Sequence, residues 1–348
     1  MSEPALEDVY RLISQAEARE HGDERVALAV EAVRIADVHQ NEGMGWRARR
    51  ALVRAGIHGG YPEQGLVAFA WCLERCDRDP RHFSERELLW AYKWMARAVL
   101  RFPSISRQRV DDLLSDMHTR YERNGISLQP VYKHRWVVAL DMGRLDELRG
   151  WHEKWCLTAK DHHADCPACE IIDQVAHKAC LGDDEAAVAL AQPVITRERT
   201  CGSSDEELFP ALLGSLERLG ARAESDRLGA RVRESVLKNQ TFVGEAGALV
   251  WQRVHRGDLE GASAVAEGAA RFSRNTRNLC ARFGYLLGVR ALRVAEGAEA
   301  GDIDTELDSI ASSFDERNAT PAYSRRLALA REDPQAVPFG PFRLAELS

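Results

Sequence analysis

Glycine-marked turns return at nearly even intervals through the middle of this chain, and that spacing restricts the fold more than any other feature. Gly143, Gly182, Gly220 and Gly257 follow one another at 39, 38 and 37 residues. Related turns stand at His21-Gly22-Asp23-Glu24 and Gly59-Gly60-Tyr61-Pro62-Glu63. Ending one helix and starting another within a few residues commonly needs a left-handed backbone, which glycine adopts without steric cost. Between the turns, apolar residues recur at three and four spacing, as in Leu89, Tyr92, Ala96, Val99 and in Tyr132, Trp136, Ala139. That period gives each helix one buried face. The stretch Asp161–Gly202 displays one unit whole: a helix over 169–181, a turn at 182–184, and a second helix over 185–196 packing back on the first.

The spacing predicts an all-α fold of eight such hairpins, at about 5–41, 42–79, 84–124, 126–160, 166–200, 204–239, 241–275 and 276–317. A chain of 348 residues is long for one compact core, but a repeat array escapes that limit. Residues 1–319 form the array; residues 320–348, with Pro321, Pro334, Pro338 and Pro341, form a tail. The tail reads as a short helix over 323–331 and then an extended segment.

The turn followed by an alanine-rich helix resembles the tetratricopeptide repeat family, most clearly at Gly182–Ala187 and Gly257–Ala262. The pattern covers roughly residues 5–317, in units of about 38 to 41 residues against about 34 in that family. The third hairpin turns at Phe102–Ser106 without glycine, and the family's unit-ending proline is mostly missing. The resemblance implies a right-handed α-solenoid whose first helices line a concave face, serving as a protein-interaction scaffold.

If first helices line that face, counting back from each turn puts Arg47, Arg50, Arg54 and His58 on it, then Trp90, Lys93, Arg97, Arg101 and Lys133. The later units place Ile172, Ala176, Gly214, Gly244, Gly247 and Trp251 at the same positions. Such a groove, half basic and half apolar, suits a peptide or protein segment with acidic groups and a hydrophobic anchor. Taken one helix at a time, the same cations are ordinary solvated faces. The net charge of −7 argues against nucleic acid as the partner.

The eight cysteines include Cys166-Pro167-Ala168-Cys169, a spacing that lets two thiolates hold one zinc or similar ion. Cys201 lies 32 residues beyond Cys169, at the same corner one unit later, so stacking brings it beside the pair. His162, His163 or Cys156 offers a fourth ligand. Cys180 is about 16 Å along the helix from Cys169, too far to join. The bland alternative is a chance pair with Cys201 buried as a small hydrophobe. A second functional reading is a metal-dependent or redox enzyme, although the βαβ context of thioredoxin-like pairs is missing. No phosphate-binding glycine loop, His-Glu-x-x-His or nucleophile elbow occurs. The acidic start and the lack of a long apolar run predict a cytoplasmic chain with no membrane contact.

Overall fold

The computed structural model describes residues 3–333 and 335–347, and among these residues the secondary structure is helical throughout, with no strand. In chain order the helices are α1 (Glu3–Ala18), α2 (Asp23–Val38), α3 (Glu42–Gly59), α4 (Pro62–Arg78), α5 (Leu89–Ala98) and α6 (Arg107–Arg123). They continue with α7 (Gln129–Asp141), α8 (Leu145–Leu157), α9 (Pro167–Leu181), α10 (Asp184–Ile195), α11 (Ser204–Arg218) and α12 (Arg222–Lys238). The last are α13 (Val243–His255), α14 (Leu259–Asn275), α15 (Leu279–Ala295), α16 (Gly301–Asn318), α17 (Ala322–Glu332) and α18 (Leu344–Leu347). Among the described residues no helix is long and apolar enough to cross a membrane.

Each odd-numbered helix from α1 to α15 packs against the even-numbered helix that follows it. The repeating glycines take the backbone the turns require, with φ of 69° at Gly143, 80° at Gly182, 69° at Gly220 and 75° at Gly257. The glycine-free third turn uses a short 3-10 stretch over Val99–Arg101, and Ser106 caps α6 by accepting the Arg109 amide. Odd helices also touch one another, α1 with α3, α3 with α5, α5 with α7, α9 with α11, and α11 with α13. Between α13 and α15 the backbones meet directly: a Cβ on Gly247 would lie 2.1 Å from the Gly284 carbonyl oxygen. Gly247 is therefore small because two helices cross there, and not because a groove needs room.

The array is closed by contacts between its two halves. Asn239 and Thr241, in the α12–α13 turn, bond to the His58 carbonyl at 3.2 and 2.9 Å, and Gln240 reaches the Gly60 carbonyl at 2.8 Å. Arg317 donates to the carbonyl of Leu100 at 3.3 Å, and Thr320 to that of Met142 at 2.8 Å. The tail returns over the middle of the molecule, where Phe342 is buried against Tyr323 and Arg343 approaches the Gly182 carbonyl and Asp184.

Gly60 shows how tight the first closure is. Its φ is 84°, and a Cβ there would lie 2.3 Å from Gln240 Cγ and 2.7 Å from the Thr241 nitrogen. Gly257 has a similar φ of 75° but nothing within 4 Å of its Cβ position. Gly257→Ala thus measures backbone strain alone, about 1 kcal/mol. Gly60→Ala is expected to cost clearly more in urea unfolding, and equal losses for the two variants would mean that the contact with Gln240 does not hold the ends together.

Candidate functional site: a chamber with a three-thiol corner

The arrangement surrounds a half-open cavity of about 1260 Å³. One wall carries Arg54, His58, Lys93, Arg97 and Arg101 from α3, α5 and the turn after it; the facing wall carries Glu206, Glu207 and Glu245 from α11 and α13. Cys166, Cys169 and Cys201 lie between them, together with Ile172 and Ala176.

Beneath the cysteines runs a network of buried charge. Lys133 has no solvent exposure and contacts Asp165 at 2.7 Å, Glu170 at 2.9 Å and Asp173 at 2.7 Å. Lys93, also buried, pairs with Asp165 at 2.8 Å and donates to the His163 carbonyl at 2.8 Å. Arg97 closes on Asp173 at 2.6 Å, and Lys160, Gln129 and Trp155 Nε1 satisfy Glu170. Burial opposes ionisation of Asp165, yet Lys133 and Lys93 more than offset it and hold the carboxyl well below its usual range. These acids flank the cysteine pair in sequence, so the network also fixes the turn that carries Cys166 and Cys169.

The thiols converge. Cys166 caps the start of α9, Cys169 lies in its first turn, and Cys201 precedes α11, where its amide bonds Ser204 Oγ at 3.3 Å. Sulfur separations are 3.4 Å for Cys166–Cys169 and 3.4 Å for Cys169–Cys201, and all three ligand atoms fall within 4.8 Å of one another. Two helix N-termini at one spot favour negative sulfur. Cys169 and Cys201 share a hydrogen bond in which either thiol can donate; that bond pulls one of the pair, Cys201, down and, together with burial, pushes Cys169 up. This half-buried trio could hold a metal ion.

The fourth ligand anticipated from the sequence does not join them. His162 and His163 form a separate group with Asp161, whose carboxylate accepts the amides of Ser127 and His163. Cys156 sits on another surface beside His152 Nε2, at 3.5 Å. Cys180 is buried with Trp136 and Trp155, away from the corner as its helical distance required.

The cations expected on one face divide into groups. Arg54, His58, Lys93, Arg97 and Arg101 line the chamber. Lys93 and Arg97 are consumed by Asp165 and Asp173, and Lys133 is a counterion inside the seam and not a groove residue. Arg50 pairs with Glu87, and Arg47 lies over the Tyr10 ring, so neither lines the cavity. Trp251 is corrected as well: it is 3% exposed, stacked on His255 in the core, because α13 turns that face toward its neighbours. The sequence reading missed Asp165, Glu170 and Asp173, although their placement immediately around the cysteine pair was a signal. It also missed Glu206, Glu207 and Glu245.

No protein-family model matches this sequence, and a comparison with curated proteins finds no match.

Two outcomes follow from the buried charges. Lys133→Met leaves Glu170 and Asp173 short of their central counterion, and breaking such a buried set costs about 3–5 kcal/mol; a urea midpoint equal to the parent's would show the network to be dispensable. His134, 1% exposed and bonded through Nδ1 to the Pro130 carbonyl at 2.7 Å, is pushed by burial down to about 4. Its folded-state value lies below the unfolded one, so the unfolded chain binds the extra proton. The neutral ring's contribution is complete above pH 6.5 and is lost as pH falls toward 4, on the order of 3 kcal/mol. His134→Asn should flatten the fall in stability across that window, read as urea midpoint against pH.

Proposed function

We propose that this chain is a tetratricopeptide-like, right-handed array of about eight hairpins, and that it binds a short acidic peptide segment in its chamber. Zinc at Cys166, Cys169 and Cys201 would tie the start of α9 to the start of α11. The repeat spacing and the contacts between successive odd helices support the architecture.

One observation carries the binding reading: among the described residues neither Arg54 nor Arg101, both lining the cavity, forms an ion pair, although the charges of Glu245 and Glu207 reach Arg101, and one guanidinium nitrogen of Arg101, Nη1, is buried with no hydrogen bond. His58, between them, is driven down to about 4 by burial and then by the positive charges of His21, Arg54, Arg101 and Arg25. A buried donor without a partner is costly, and guanidinium groups fit carboxylates in paired hydrogen bonds. An incoming anion relieves both the unmet donor and the mutual repulsion. The cavity is larger than most small-molecule pockets but too small for a folded domain, which points to a few residues of chain.

A second reading, a metal-dependent enzyme, is favoured by the cysteines' position on the cavity wall. It predicts turnover lost on Cys166→Ser with the fold intact.

Short acidic peptides titrated into the protein by fluorescence polarisation test the first reading. The variant carrying Arg54→Ala and Arg101→Ala together should bind at least tenfold more weakly. Its urea midpoint is measured alongside, since Arg101 also compensates the charges of Glu245 and Glu207, and the binding comparison is made where both proteins are folded. Undiminished binding with both arginines gone would remove the chamber as the site.

A further inference from the structure

The corner at Cys166, Cys169 and Cys201 has three donors where zinc ordinarily takes four. No fourth His, Cys, Asp or Glu among the described residues lies within 4.8 Å of all three sulfurs. Glu207 is close enough for its charge to be felt by Cys169 and Cys201, but its carboxylate accepts a hydrogen bond from Ser203 at 2.7 Å and is solvent-exposed. The two histidines are turned to Asp161, as described above.

What surrounds the sulfurs is uneven. On one side Cys166 and Cys201 pack against the core cluster that contains Ala168, Ile172 and Leu208. On the other, all three cysteines line the chamber. A sealed structural zinc site would show a fourth protein ligand closing that second side. Here the second side is cavity.

We propose that a zinc-class ion held by these three thiolates keeps its remaining coordination position turned into the chamber, making the corner a ligand-exchange centre. The donor it takes is a small anionic group, such as a carboxylate of the chamber's occupant. The identity of that occupant rests on the acidic-peptide reading above; the open position itself does not. Water fills the position when the chamber is empty, and binding exchanges that water for the donor with no change in oxidation state. Two features of the fold serve the arrangement: the N-termini of α9 and α11 favour the thiolates, and the Lys133 network holds the turn between Asp165 and Glu170 rigid.

Cobalt(II) substitution of the full chain, with azide as the small-anion probe, decides the matter. One equivalent of cobalt should give intense thiolate-to-metal absorption and the d–d bands of four-coordinate geometry. Azide should then shift the d–d bands saturably while the thiolate absorption stays. Glu207→Gln should leave the azide-free spectrum unchanged. Bands indifferent to azide, a spectrum altered by Glu207→Gln before azide is added, or failure to take up cobalt would each overturn the proposal. Peptide binding is measured on the same samples: peptide bound without an azide response sinks the open position alone, and an azide response without peptide bound sinks the acidic-peptide reading alone.

Discussion

Lys133 is the group on which the middle of this molecule depends. Its ammonium lies fully buried among Asp165, Glu170 and Asp173, and it reaches from α7 to α9, which are joined largely through side chains at this point. Taking such charges out of water costs several kcal/mol per ion, so they persist together or not at all. Lys93 and Arg97 from α5 complete the balance. The first half of the chain is thereby bolted to the second, and the bolt passes directly under the cysteine corner.

Much of this was legible in the sequence, and the boundary of legibility is physical. Gly143, Gly182, Gly220 and Gly257 announced turns because a left-handed residue is a local requirement, and all four adopt it. The helix expected over 169–181 begins two residues earlier, at Pro167, whose fixed φ suits a first helical position. The three cysteines were brought together on paper by unit spacing alone. Side-chain surroundings were another matter. Periodicity tells which face of a helix is polar, but not whether water or a carboxylate waits there; Lys133 and Arg54 look alike in sequence and end in opposite environments. Trp251 failed for the converse reason, since position on a helix says nothing about how closely the next helix approaches.

Closure was the feature with no local signature. It rests on pairs far apart in the chain, such as Gln240 with Gly60 and Arg317 with Leu100. Their effect is to turn a concave surface into a chamber, bringing Glu206, Glu207 and Glu245 opposite the arginines. The lining of that space thus carries charge of both signs. Field lines from both walls are confined in such a space, which raises the selectivity for an occupant of matching polarity.

The cations that follow one another from Lys93 to Arg101 meet different partners. Lys93 and Arg97 stand one helical turn apart on α5, and each meets an acid carried by α9 or the residues just before it, Asp165 and Asp173. Arg101 is the next cation in that register. Among the described residues Arg101 makes no ion pair; the carboxylate charges that reach it are those of Glu245 and Glu207 from α13 and α11, and one of its guanidinium nitrogens is buried and unbonded. The cations of this register thus divide between two that tie α5 to the segment around the cysteines and one that lines the chamber without an ion pair.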